Sequence, residues 1–243
     1  MKTLARIIRR VLVIALVAVI AMCALTVWRG YGMYREALAD RPISQTVEEL
    51  RGSGTGVTPD CLCYRGFRLW HMNPEDYTRQ TYLDAVVAVE DHRFYEHGGV
   101  DPIAICRAAF NDLRTLSLRE GGSTITQQVA KNLFFTQDKH FERKVAEVFM
   151  ALDLEARYSK REILELYVNS SYFGSGYTGI GQAAPGYLGC DPSDMSDYEC
   201  ALMAGFPNAP ELFAADPQAA DSRARVVVQQ MEKCGFDPGD AAS

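Results

Sequence analysis

Glu90 and Asp91 stand side by side at the end of an apolar run, directly ahead of "HRFYEHGGVD". Glu90 falls three and four residues after Val87 and Val86, and seven after Leu83, so on a helix it continues the inward stripe. A carboxylate placed there is partly desolvated, which raises its pKa and suits it to accepting a proton. Asp91 turns to the neighbouring face, nearer the turn. The structural alternative is a helix-end carboxylate bonded to the backbone of the "HGG" turn, since such networks also perturb carboxylates.

Two further constellations carry chemistry. In "GGSTITQQVAKN" the glycines permit unusual backbone angles, Ser123 or Thr124 can cap the following helix, and a helix start with free N–H groups favours an anion. Gln127, Gln128 and Lys131 then share one face by i+3 and i+4 spacing. In "DKHFERKVAE", Lys139, Arg143 and Lys144 crowd beside Glu147. Read structurally, these are a capped polar helix and a set of exposed i,i+4 ion pairs worth a few tenths of a kcal/mol. Read functionally, they form a cationic cradle for phosphate, with Glu147 orienting the cations or sharing a divalent metal such as magnesium or manganese.

The elements that must position these residues read as helices. Pro74 to Asp91 is one. Asp101-Pro102 opens another, with Ile103, Cys106, Phe110 and Leu113 as its inward stripe. Phe141 to Tyr158 follows, with Phe141, Val145, Val148, Phe149 and Leu152 on one side. Ser159 with Glu162, and Ser196 with Glu199, form capping boxes ahead of two more. Gly205 is a natural stop, and Asp216-Pro217 opens a last helix that halts at Gly235. No alternating strand pattern competes, so the domain is expected to be mainly α.

The N-terminus sets the compartment. "MKTLARIIRR" is basic, and Val11 to Trp28 runs without a charge, near the lower end of the roughly 17–25 residues a membrane-spanning helix needs. The basic flank predicts a cytoplasmic tail over 1–10, and Trp28 belongs at the far interface. A cleaved signal peptide is the rival reading, weakened because no small-x-small site follows Trp28. Either way the remainder lies outside the cytoplasm: a stem or linker over 29–68, whose Arg41–Asp60 stretch reads as a spacer, then a domain over 69–235 and a tail over 236–243. Six of the seven cysteines would meet an oxidising compartment, with fifteen full pairings open to them. "CLC" lacks zinc-ligand spacing. A net charge of -6 excludes wholesale nucleic-acid binding but not a local cationic patch.

Taken in order, "EDHRFYEHGGVD", "GGSTITQQVAKN", "RKVAE", "ILELYVN" and "YFGSGYTGIGQAA" resemble the peptidoglycan glycosyltransferase (transglycosylase) family over about Leu69 to Pro217. The family includes membrane-anchored monofunctional enzymes and the N-terminal halves of bifunctional penicillin-binding proteins. The resemblance implies a lysozyme-like helical domain that polymerises lipid II, a polyprenyl-diphosphate-linked disaccharide peptide, onto a growing glycan strand with inversion. It places the general base on Glu90 and the second essential glutamate on Glu147. Lys131 and Arg143 match cationic positions near the donor diphosphate, with Lys139 and Lys144 beside them. Ser123, Thr124, Gln127 and Gln128 match cleft residues; Asp91, Phe94 and His97 of the first motif are expected at the substrate, and Asn169 in a structural role.

The resemblance requires no cofactor, and the divalent cation considered beside Glu147 stays an open option. Membrane lipid and other cell-wall synthesis proteins are the expected further partners. Two departures stand out: Lys139 where arginine is frequent, and "YLGC" in place of "YFGK". No Ser-x-x-Lys, Ser-x-Asn or Lys-Thr-Gly set accompanies the motifs, so a monofunctional enzyme is expected. A non-catalytic lipid-diphosphate-binding scaffold and a lysozyme-like glycan hydrolase are the alternatives.

Overall fold

The computed structural model describes residues 2–51, 62–64, 67–69, 79–115, 122–135 and 141–242. Lys139 and Gly121, and most of the spacer beyond Arg51, lie outside them. The helices, in chain order, begin with α1 (Lys2–Asp40) and α2 (Ile43–Arg51). A two-stranded antiparallel hairpin follows, β1 (Leu62–Tyr64) against β2 (Phe67–Leu69), with Cys63 opposite Arg68. Then come α3 (Gln80–Glu90), α4 (Pro102–Thr115), α5 (Ile125–Phe134), α6 (Phe141–Arg157) and α7 (Lys160–Ser170). The chain closes with α8 (Ile180–Tyr187), α9 (Asp197–Gly205), α10 (Pro210–Ala215) and α11 (Pro217–Cys234). The architecture is mainly α, as the periodicity predicts.

Local chemistry starts and stops several of these helices where the sequence says it should, but α3, expected from Pro74, starts at Gln80 after an extended Arg79. Thr124 with Gln127, Ser159 with Glu162 and Ser196 with Glu199 each form a reciprocal capping box. Such a cap is worth about 1 kcal/mol. The Asp101 carboxylate accepts from the amide of Ile103 at 2.9 Å, and α11 ends on left-handed Gly235.

The core sits where α3 is enclosed by α9 and α11, with α5 laid across α6 and α7. Val86 and Val87 of α3, Ile125 and Val129 of α5, and Leu154 of α6 are buried there. α3 is thus held on its apolar side by the body, and its C-terminal residue, Glu90, is delivered to the edge.

Three sequence expectations are revised. The first part of the spacer is the helix α2, whose Ile43, Val47 and Leu50 are buried. Their i, i+4, i+7 spacing makes one apolar face, and each such burial contributes roughly 1.5–3 kcal/mol as an upper estimate. That is enough to seat the segment on the body despite its polar composition.

On α4 the expected stripe faces outward. Ile103, Cys106 and Phe110 are exposed, with Phe110 at 66%. Ala108 faces inward instead: a Cβ added to Gly122 would stand 3.4 Å from the Ala108 Cβ. Close approach selects the small residues for the inner face. Leu113 lies where side chains are not described.

On α6 the stripe from Phe141 to Leu152 does not face the core, which is packed by Ala146, Met150, Ala151 and Leu154. Phe141 and Leu152 are exposed, while Val145 and Phe149 form the seat of α1. A Cβ on Gly30 would lie 2.5 Å from that of Val145, so only glycine permits the approach. The rings of Tyr31 and Tyr34 lie 5.3 and 5.8 Å from Phe149. α1 is therefore one uninterrupted helix that is long and apolar enough from Leu12 onward to cross a membrane, and it then docks against α6. Among the described side chains, Cys23, Cys106, Cys190, Cys200 and Cys234 are unpaired thiols.

Candidate active site

The cleft lies between the end of α3, the start of α5, the first turns of α6 and the α9–α11 corner. It encloses about 340 Å³. From α3 it receives Glu90; from α5 and the residue pair before it, Ser123, Gln127, Gln128 and Lys131; from α6, Lys144 and Glu147.

Glu90 reaches the cleft at the end of a helix whose preceding turn is buried. Desolvation pushes its carboxyl above the ordinary carboxylate range. A hydrogen bond from the Gln128 amide to Oε2, 2.7 Å, works in the opposite direction. So do the cations of Arg223 and Lys131, while the charge of Asp91 adds to the rise. The net result is a carboxylate that holds its proton more tightly than a solvated one, yet is aimed by a fixed donor.

Glu147 is the opposite case. It is 1% exposed, and its two oxygens face two cations: Arg143 Nε at 3.0 Å and Lys144 Nζ at 2.9 Å. Lys144 Nζ also donates to Ser123 Oγ at 2.7 Å. One buried anion therefore fixes the heads of two cations, and one of these reaches across to the residue before the Thr124 cap. Lys131 is half-buried, and desolvation lowers its pKa; Glu147 counters this, and the neighbouring charges of Arg143 and Lys144 add to it. A partly dry lysine beside two more cations gains much from a polyanion.

The donor set does not suit a metal at Glu147. Its carboxylate oxygens already face Arg143 and Lys144, and a divalent ion would have to displace them. A group with metal-like spacing, Asp91, His97 and Asp101, lies within 4.8 Å elsewhere. There Arg93 stands 3.6 Å from Asp101, and the Asp91 carboxylate is held by other partners, so a charge network accounts for it.

Asp91, Phe94 and His97, expected at the substrate, have buried side chains and are not among the residues that line this cleft. His97 Nε2 is 2.9 Å from Asp91 Oδ1, and Asp91 Oδ2 accepts from the amide of Ile125 at 3.1 Å. This carboxylate thus ties the end of α3 to the first residue of α5. Phe94 is wholly buried, with Lys160 Nζ 4.4 Å from its ring centroid. Lys160 in turn donates to Glu155, as does Thr126. Thr124 is buried too: its hydroxyl donates to the Gly99 carbonyl at 2.6 Å and accepts from Gln127 N. Gly99 has φ +65, and a Cβ there would press on the Ala151 carbonyl at 3.0 Å. After Glu90 the side chains of Asp91, Phe94 and His97 turn inward while Tyr95 and Glu96 stay exposed, so some sequence neighbours of Glu90 support it from within. Asn169 is buried and donates to the Glu165 carbonyl, in keeping with a structural role. Lys139 lies outside the described residues.

Pro207, Asn208 and Arg223 line the same cleft and were not anticipated. Arg223 had a signal. It sits three residues after Ala220 and four before Val227, a cation on the buried stripe of α11. Nothing local in the sequence marks Asn208.

Known proteins place this geometry in a family. The Transglycosylase family model matches residues 71–232. Penicillin-binding protein 1A of Vibrio cholerae is 46% identical over 151 residues, 61% of this chain and 18% of that protein. Its namesake in Aquifex aeolicus is 42% identical over 156 residues, 63% of this chain and 22% of the other. In Escherichia coli, penicillin-binding protein 1A is 34% identical over 229 residues, 90% of this chain and 27% of the other. The chain spans about a fifth to a quarter of the length of these relatives. With its lysozyme-like helical body and a family match that covers the cleft-forming helices, the chain belongs to the transglycosylase family.

Proposed function

We propose that the protein is a peptidoglycan glycosyltransferase that polymerises lipid II into glycan strands. The observation that carries this reading is the pairing, in one cleft, of a desolvated and oriented Glu90 with Lys131 and with Lys144, whose head Glu147 fixes.

Glu90 takes the proton of the acceptor sugar's 4-hydroxyl as that oxygen bonds to the donor's anomeric carbon. The bond from that carbon to the diphosphate oxygen breaks, and the polyprenyl diphosphate leaves with the electron pair. Lys131, Lys144 and Arg143 stabilise the growing negative charge, which lets a fair leaving group depart without a general acid. Base and cations act from separate sides of the reacting carbon, so the configuration inverts. Glu147 orients its two cations, and Asp91 and His97 hold α3 and α5 in register behind the base.

The anchor follows from the substrate. Residues 1–10 are cytoplasmic, 11–28 cross the membrane once, and the domain over 69–235 works outside, in the plane where a polyprenyl lipid diffuses. The outward apolar face of α4, with Ile103, Ile105 and Phe110, supports contact with the bilayer surface. Phe134 is buried and takes no part in that contact.

Purified full-length protein with labelled lipid II decides the reaction on a gel. A ladder of lengthened glycan is expected. Binding without product indicates a scaffold, and shortening of preformed glycan indicates a hydrolase; either result rejects the proposal.

A further inference from the structure

Where α1 leaves its apolar stretch and settles on α6, the two helices enclose a groove of about 560 Å³, separate from the catalytic cleft. It is lined by Trp28, Arg29, Gly32, Met33, Glu36 and Glu142. Trp28, Gly32 and Glu36 follow at i+4 steps, so one face of α1 forms a wall whose middle is left open. A Cβ at Gly32 would meet no atom within 4 Å. Gly30, two residues earlier, is the close-contact glycine that brings the helices together; Gly32 opens the notch beside it.

We propose that this groove binds the headgroup of a zwitterionic phospholipid bearing a primary ammonium, of the phosphatidylethanolamine type. The proposal rests on the reading of α1 as a membrane anchor. Trp28 ends the uncharged run and is 76% exposed, which sets the groove at headgroup level. The lining offers one cation and two carboxylates. Arg29 is largely exposed and only loosely engaged by Glu142, at 3.4 Å, so its remaining donors face a phosphodiester. Glu36 and Glu142 accept hydrogen bonds from an ammonium, which carries three donors. Met33 and the indole of Trp28 meet the start of the acyl chains.

The charge balance selects among lipids. A headgroup of net negative charge, such as phosphatidylglycerol, meets a lining with more carboxylates than cations. A choline headgroup has no N–H to donate. Only the primary amine satisfies both kinds of partner.

The test is native mass spectrometry of the full chain, released from detergent micelles containing equal amounts of phosphatidylethanolamine, phosphatidylcholine and phosphatidylglycerol. The parent should retain phosphatidylethanolamine several-fold over the other two. Gly32→Leu, which fills the notch, should lose the adduct. The double variant Glu36→Gln with Glu142→Gln should lose the preference while keeping some bound lipid through Arg29. Lipid II polymerisation in detergent should be unchanged in both, since neither touches the cleft. Equal retention of the three lipids, a preference for phosphatidylglycerol, or an unaltered preference in the variants would overturn the assignment. Membrane fractionation of cells separates the two readings. A chain that sediments with membranes but shows no headgroup preference refutes the groove alone, and one that stays in the soluble fraction refutes both.

Discussion

The side-chain amide of Gln128 donates to the Glu90 carboxylate at 2.7 Å, linking the last residue of α3 to the second turn of α5. The same two helices are joined a few ångströms deeper by Asp91 and the amide of Ile125. The end of α3 that carries Glu90, the proposed base, is therefore held to α5 by two separate contacts. The two contacts have opposite electrostatic effects on Glu90, which makes them separable by experiment.

Glu90→Gln keeps the shape of the base and removes its function. Polymerisation should fall by about 10²–10⁴-fold, the usual contribution of a general base, while lipid II still binds. Thermal stability should rise. The folded-state pKa of Glu90 lies above its unfolded value, so stability falls as pH rises through the interval between them and stays reduced above it. A glutamine escapes that penalty. At neutral pH its Tm should exceed the parent's, and the gain should vanish at pH below the ordinary carboxylate range. Calorimetry across pH checks both statements.

Gln128→Leu and Asp91→Asn should move the acid limb of the kcat/KM profile in opposite directions. Loss of the Gln128 donor raises the Glu90 pKa further, so activity fades at a higher pH than in the parent. Loss of the Asp91 charge lowers it, so activity persists to a lower pH. Asp91→Asn should also reduce kcat by about 10- to 100-fold through misplacement of the base, with KM little changed because Asp91 lines no part of the cleft. A shift of both profiles in the same direction would refute the arrangement.

On the proposed mechanism Lys131 sets the opposite limb. Its pKa is lowered chiefly by desolvation, so it loses charge at a lower pH than a solvated lysine. Lys131→Arg remains charged throughout and should push the basic limb upward, at some loss in maximal rate because the planar fork does not match a compact ammonium. Lys131→Met should weaken inhibition by free diphosphate while the parent lysine is charged, and the difference should shrink as pH rises through the lowered Lys131 pKa. Titration of that inhibition measures the effect.

Glu147→Ala removes the anion that faces Arg143 and Lys144. The two cations then repel each other in a partly dry site, at a cost of about 3 kcal/mol in stability. Lys144→Ala should cost less, because Lys144 is more exposed and Arg143 still faces Glu147. Denaturant titration of the two variants orders them.

Ile103→Ser with Phe110→Ser should leave polymerisation in detergent intact and reduce it in vesicles, because both residues lie on the outward face of α4. Equal rates in vesicles would separate that face from the membrane.

Much of this was legible before any coordinates. The capping boxes, the starts of α5 and α7, both ends of α9 and α11, and the pairing of Glu147 with two cations one helical turn away are local in the chain, and local spacing reports them well. The direction of an apolar stripe is another matter. A face turned to the core, to another helix or to a bilayer has the same period, so α4 and α6 gave the right helix and the wrong neighbour. Asp91, Phe94 and His97 adjoin a cleft residue in sequence, yet their side chains are buried, and burial of this kind is not visible in a local motif. Asn208, in the turn that follows α9, enters the cleft only through the packing of α9 and α11 against α3, a long-range relation that no short window contains.

The unbroken course of α1 from Lys2 to Asp40 has a mechanical consequence. A helix seated by Gly30 and Tyr34 offers no swivel between its apolar stretch and the helical body, so on the proposed function the compass bearing at which polymer leaves is built into the chain's helical phase. One alanine inserted between Trp28 and Gly30 would turn that bearing by about 100° and raise the body by about 1.5 Å.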